Sequence, residues 1–206
     1  IAQADYKPTN VIVFDRELGV EIPKKDYDID YVDLVEKSPS VAAVSLESTH
    51  PSYILYTSGT TGTPKGIIRD TGGYATALKF SMKYIYGLDE GETFWAASDV
   101  GWVVGHSYIV YGPLLNRNTT ILFEGKPIKT PDASTFWRVI SEHTVKVMFT
   151  APTAIRAIKK EDPEGEMIKQ FDISCLKHQF LAGERCDVAT LTWTEEKLKV
   201  PVIDHW

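Results

Sequence analysis

From Thr93 onward, short apolar runs and amphipathic stretches take turns along the chain, and this alternation restricts the possible folds more than any other feature. "TFWAAS" (93–98) precedes "VGHSYIVYGPLLN" (104–116), and "TTILFEG" (119–125) precedes "ASTFWRVISEH" (133–143). "VKVMFT" (145–150) precedes "PTAIRAIKKE" (152–161), "HQFLAG" (178–183) precedes "DVATLTWTEEKL" (187–198), and "VPVID" (200–204) closes the series. The first member of each pair is too short for a helix and continuous enough for a strand buried on both faces. The second carries apolar residues at helical spacing, and Pro152 suits a first helical turn. The class predicted is α/β, a mostly parallel sheet flanked by helices. In such sheets ligands sit beyond the carboxyl ends of the strands. "TSGTTGTPK" (57–65), "SDVGWVVGHS" (98–107), "TAPT" (150–153), "AGER" (182–185) and "DHW" (204–206) leave predicted strand ends and form the candidate site.

Earlier in the chain the pattern is looser. "NVIVFDR" (10–16) reads as a strand, and "KKDYDIDYVDLVEKSPS" (24–40) as a polar, irregular segment with a short amphipathic stretch. "SYILYT" (52–57) and "GIIRD" (66–70) read as strands on either side of a loop, and "YATALKFSMKYIYG" (74–87) as a helix. "KKEDPEGE" (159–166) reads as a solvated turn.

Composition narrows the function classes. A net charge of −6 over 206 residues gives no support to nucleic-acid binding, which calls for an excess of Lys and Arg. No run approaches the roughly 18 apolar residues of a membrane span. Cys175 and Cys186 show no metal spacing and read as small, reduced apolar residues. The chain starts at Ile1 and stops inside a predicted strand, so an internal fragment is the expectation.

The loop between the two early strands has a chemistry of its own. "YTSGTTGTPKG" (56–66) offers Thr57, Ser58, Thr60, Thr61 and Thr63 hydroxyls, glycines at 59 and 62, and one cation, Lys65. Glycines let backbone N–H groups approach a ligand closely, and successive amides make an anion-binding concavity. Hydrogen bonds to a charged partner contribute about 1.5–3 kcal/mol each, so a few would hold a polyphosphate. The plain alternative is a polar surface loop; the Pro-Lys-Gly ending between two apolar strands favours phosphate binding. The P-loop pattern G-x-x-x-x-G-K-[ST] is not met, because Pro64 replaces its Gly and Gly66 its Ser or Thr.

Tyr56–Gly66 instead resembles the phosphate-loop motif of the AMP-forming adenylate synthetases, which include acyl-CoA synthetases, luciferases and peptide-synthetase adenylation domains. "ASDVGWVVGHSYIVYGPL" (97–114), "TTILFEGKP" (119–127), "FTAPTAIRAIKKEDP" (149–163), "LAGERCD" (181–187) and "DHW" resemble the short-chain acetyl- and propionyl-CoA synthetases, most of all the propionate-preferring type that is often mitochondrial. The resemblance implies that residues 1–206 are a fragment of the large N-terminal AMP-binding domain. Residues 1–51 are assigned only loosely, 52–206 carry the phosphate loop with the acyl/CoA and adenine walls, and the C-terminal domain is absent. It implies an acid–thiol ligase that makes acyl-AMP from ATP and a short-chain carboxylate and passes the acyl group to CoA, with this piece inactive or poorly active alone.

The same resemblance assigns residues. Thr57, Ser58, Gly59, Thr60, Thr61, Gly62 and Lys65 would hold the ATP phosphates, with Lys65 and Thr61 catalytic. Gly183, Glu184, Arg185, Asp204, His205 and Trp206 would border the nucleotide, with Arg185 equally readable as a solvated loop residue. Trp102, Val103, Val104 and Ala182 would wall the acyl group and CoA. Val104 stands where acetate users carry Thr, and Ala182 where they tend to carry Val, which leaves room for propionate. The carboxylate that binds Mg2+ with ATP falls after Trp206 in the family motif, so no metal ligand is expected within the chain. His106 reads as a packed histidine rather than a base, and Asp99 as a brace for its loop. Two further readings stand beside this one: an adenylate-forming ligase with another acyl acceptor, and a non-catalytic nucleotide-binding fragment. The mitochondrial matrix is the expected compartment, with the cytoplasm as the alternative.

Overall fold

Two units, residues 1–45 and 46–206, make up the structure, a computed structural model that describes residues 3, 5–19, 25–56 and 62–205. In the first unit β1 (Val11–Val13) pairs in parallel with β2 (Asp28–Asp30), and α1 (Tyr31–Lys37) follows. The sequence does not signal β2, because "DID" has the composition of a turn. Asp30 ends that strand and caps α1, its carboxylate accepting from the amides of Val32 and Asp33. The strand expected over 10–16 is reduced to three residues.

The second unit opens with an antiparallel pair, β3 (Pro51–Tyr56) and β4 (Gly66–Asp70), distinct from the main sheet. Asp70 caps α2 (Thr71–Phe80), which widens into a π turn over Ser81–Ile85. The main sheet begins at β5 (Thr93–Ala96). A helical run comes next, formed by α3 (Val103–Gly105), a π turn over His106–Tyr111 and α4 (Gly112–Leu115). Then come β6 (Thr119–Thr120), α5 (Thr135–Glu142), β7 (Val145–Thr150), α6 (Pro152–Glu161), β8 (His178–Leu181), α7 (Val188–Leu198) and β9 (Val202–Asp204). The five strands are all parallel, in the order β6-β5-β7-β8-β9. The α/β class read from the sequence is the class observed.

Period-two alternation divides the strand side chains between two cores. Phe94, Ala96, Val147, Phe149 and Phe180 face one side with Met82, Tyr86 and Ile109 from the helical layer. Trp95, Met148 and Leu181 face the other, under Phe136, Trp137 and Ile140 of α5, Ile155 and Ile158 of α6, and Trp193 and Leu198 of α7. Each such side chain, fully buried, contributes about 1.5–3 kcal/mol. Cys186 is buried in the second core, Cys175 packs against it, and both are free thiols.

Two sequence expectations are corrected. Of "TTILFEG", only Thr119 and Thr120 pair with β5. Beyond them Phe123 turns onto the core, its ring edge-on to Trp95 and Phe136 at 5.3 and 6.4 Å between centroids, and aromatic packing replaces the edge ladder. The turn after α6 is not simply solvated either. Asp162 is buried and its two carboxylate oxygens accept from the amides of Glu166 (2.9 Å) and Met167 (2.8 Å). The Trp193 indole donates to the Pro163 carbonyl at 2.6 Å, tying the turn to α7.

Replacing Asp162 by Ala leaves two amides without their acceptor and is expected to cost about 1–3 kcal/mol in a urea titration. A loss below about 0.5 kcal/mol, the usual scale of a surface change, would show that the turn is only solvated.

Candidate functional site

Strand order fixes where a ligand can enter. From β5 the chain steps to β6 on one side, then returns past β5 to β7 and continues outward through β8 and β9. The connection leaving β5 runs into the helical layer on the Tyr86 side, whereas α6, which follows β7, packs on the Trp95 side. Neighbouring strands whose carboxyl-end loops part in this way leave a crevice between them. The ends are laced together just beyond the strands: Ala97 N donates to Phe149 O (2.8 Å), Thr150 Oγ1 to Ala97 O (3.1 Å) and Ala182 N to Thr150 O (3.1 Å).

A cavity of about 340 Å3 opens there, within the usual range of small-molecule sites. Ala97 and Ser98 after β5, Phe149–Ala151 at the end of β7, and Ala182 and Gly183 after β8 line it together with Trp102, Val103 and Val104. All four residues expected at an acyl wall therefore meet in one hollow, with Gly183 beside them. Ala97 and Phe149 fall just outside the candidate-site loops read from the sequence, although their positions at strand carboxyl ends were a usable signal. A larger hollow of about 450 Å3, bordered by Leu122, Phe123, Gly125 and Pro127, shares only Ala97 and Ser98 with the first and holds none of the expected wall residues.

The Trp102 segment is set by a tight return. Asp99 accepts from Gly101 N through its side chain (2.7 Å) and from Trp102 N through its carbonyl (3.2 Å), so Asp99 braces its loop as expected. Trp102 is 66% exposed and caps α3 with extended backbone. Gly105 is required by this path, because a Cβ there would lie 2.3 Å from Asp99 O and 2.4 Å from Val100 Cα. Val104 and Ala182 pack against the Tyr86 core.

The nucleotide-wall candidates divide. Gly183 takes φ +98°, left-handed backbone that a side chain would strain, and turns the chain at the cavity edge. Glu184 is directed instead to Arg156 (2.5 Å), and Arg185 is exposed beside Cys186, Asp187 and Val188. Asp204 accepts from Cys186 N (3.0 Å), bracing the same loop from β9. His205 lies among the rings of Phe149, Phe180 and Tyr86, with centroids 5.0, 5.4 and 5.8 Å away. None of these four lines the cavity. Of the phosphate-loop candidates, Gly62 has φ +124° and Lys65 is exposed at the entry to β4. Thr57, Ser58, Gly59, Thr60, Thr61 and Trp206 lie outside the described residues.

Upstream of that loop, the Tyr53 hydroxyl donates to the Tyr74 hydroxyl (3.1 Å), which shares a 2.7 Å hydrogen bond with Ser107. β3 and the helical run behind Trp102 are thereby joined, and burial pushes the Tyr74 phenol above its ordinary range. The His106 ring packs edge-on to Tyr53 at 5.7 Å, as a structural histidine does.

Residues 2–206 fit the AMP-binding enzyme family, and the chain belongs to it. It is similar to the mitochondrial acyl-CoA synthetase short-chain family member 3 of Bos taurus and of Homo sapiens, 54% identical to each over 202 residues, which is 98% of this chain and 29% of each relative. It is also similar to the propionate–CoA ligase of Salmonella typhimurium, 48% identical over 208 residues, which is 100% of this chain and 33% of that protein. The chain thus spans about a third or less of the length of these curated relatives.

Burial holds the His205 pKa below its ordinary value near 6.5. The unfolded chain therefore binds more protons as pH falls, so the stability His205 contributes is present above pH 6.5 and is lost as pH drops through its folded value. The melting temperature should fall between pH 7.5 and 5.5, and His205→Phe should flatten that fall. An equal fall in the variant would rule out His205 as its origin.

Proposed function

We propose that the protein containing this chain activates a short-chain carboxylate as its acyl-adenylate, with ATP as the second substrate, and transfers the acyl group to CoA. The observation that carries this reading is the convergence of Trp102, Val103, Val104 and Ala182 on one cavity at the carboxyl ends of β5, β7 and β8. In this reading the chain is part of a larger N-terminal catalytic domain, a view supported by its coverage of only 29–33% of the relatives above. A carboxylate oxygen attacks the α-phosphorus of ATP, the acyl–O–P bond forms, and the bond to pyrophosphate breaks. The acid is already ionised near neutral pH, so no general base is needed, in keeping with the packed setting of His106.

The obstacle is charge, since an anion must approach a polyanion. Thr57, Ser58, Gly59, Thr60, Thr61, Gly62 and Lys65 would answer it by holding the β- and γ-phosphates, with Lys65 and Thr61 stabilising charge as pyrophosphate departs. Gly183, Glu184 and Arg185 would border the adenine, and Asp204, His205 and Trp206 would continue that border. Among the described residues no group of three or more His, Cys, Asp or Glu side chains is placed to hold a metal ion. Magnesium enters with the nucleotide. The short acid favoured is propionate, because Val104 and Ala182 make an apolar wall with space where a larger residue would close it. The names of the relatives support the same choice and a mitochondrial setting.

Two measurements on the intact enzyme test the reading. ATP–pyrophosphate exchange should depend on an added carboxylate, with kcat/KM highest for propionate among acetate, propionate and butyrate. Lys65→Met should lower exchange about 100-fold, the scale of losing one preorganised donor. Ala182→Val should shift the propionate-to-acetate ratio about tenfold toward acetate, the usual discrimination for a methyl-sized change. No carboxylate-dependent exchange would sink the adenylation reading, and an acetate preference in the wild type would sink the propionate assignment alone.

A further inference from the structure

We propose that Arg156, on α6, is a positioning residue for the nucleotide wall. Resting on the adenylation reading, it holds the Gly183–Asp187 loop in the shape that presents its backbone to ATP. The guanidinium serves two carboxylates at once: one terminal nitrogen meets Glu184 Oε1 at 2.5 Å and the other meets Asp187 Oδ2 at 3.1 Å. These two acids stand at opposite ends of the loop turn. Asp187 also caps α7, its Oδ1 accepting from Thr190 N at 2.9 Å, so the guanidinium grips the loop and the start of the next helix together. Lys159, one turn further along α6, donates to Ala189 O at 2.8 Å and reinforces the same contact. From the opposite side Asp204 accepts from Cys186 N. The loop is thus held from α6 and from β9, while Gly183 makes its left-handed turn at the cavity edge.

The arrangement has a consequence for recognition. With its carboxylate committed to Arg156, Glu184 offers a ligand its backbone rather than its charge. An anionic side chain beside a nucleotide is thereby neutralised before the ligand arrives. A lysine cannot reproduce the contact in full, because one ammonium lacks the planar fork that reaches two separate acids.

Kinetics of the intact enzyme with Arg156→Met and Arg156→Lys test this. The side chains involved are between a third and a half exposed, which limits the effect. Arg156→Met is expected to raise KM for ATP about five- to tenfold, with KM for propionate and kcat within about twofold. Arg156→Lys should recover part of the loss. Amide hydrogen exchange at residues 183–187 should quicken in Arg156→Met without nucleotide. An unchanged KM for ATP overturns the proposal even if exchange quickens. Equal increases in both KM values with a lowered melting temperature overturn it too, since they denote a general structural role. If the wild type shows no ATP-dependent turnover, the adenylation reading falls and takes this proposal with it; wild-type turnover with an unaltered variant removes the proposal alone.

Discussion

The reversal of strand order at β5 is the constraint on which the rest of the second unit depends. Five parallel strands could have been wound in one direction, with every connection on one face and no crevice between neighbours. Instead β6 lies on one side of β5 and β7 on the other, and the two connections leave toward opposite faces. The gap that results is a consequence of backbone topology, and side chains then decide what it accepts. Alternate strand residues are committed to the two cores, so Phe149 reaches the gap while Met148 beside it is buried on the far side.

Keeping that gap open requires stiff surroundings. Hydrogen bonds between Ala97, Phe149, Thr150 and Ala182 tie the strand ends together. Gly105 lets the Trp102 segment fold back against Asp99 and Val100 at a distance no side chain would permit. The Tyr53–Tyr74–Ser107 hydroxyls connect β3 to the helical run behind Trp102. A hollow framed in this way is largely preformed, as small-molecule sites commonly are.

Much of this was readable from residue order because it follows local periodicity. Pro152–Glu161 is helical over the whole span its pattern marks, and Val188–Leu198 fills all but the first residue of the stretch read as helical over 187–198. Motif resemblance singled out Trp102, Val103, Val104 and Ala182, and the fold brings these four together in one hollow. What escaped notice was tertiary. Strand order is not encoded in periodicity, so the crevice could be assigned only to carboxyl ends in general. β2 is held by pairing rather than by propensity, and the strand expected after Thr120 gave way to the burial of Phe123. Arg156 and Glu184 lie 28 residues apart, and nothing in either local sequence announces their contact.

The most direct measurement is a structure of the intact protein bound to a non-hydrolysable propionyl-adenylate analogue. The propionyl chain should lie between Val104 and Ala182 against Phe149, with the adenine along the backbone of Gly183–Arg185. An analogue seated instead in the hollow beside Leu122 and Pro127, leaving the crevice between β5 and β7 vacant, would be incompatible with a site created by the reversal of strand order.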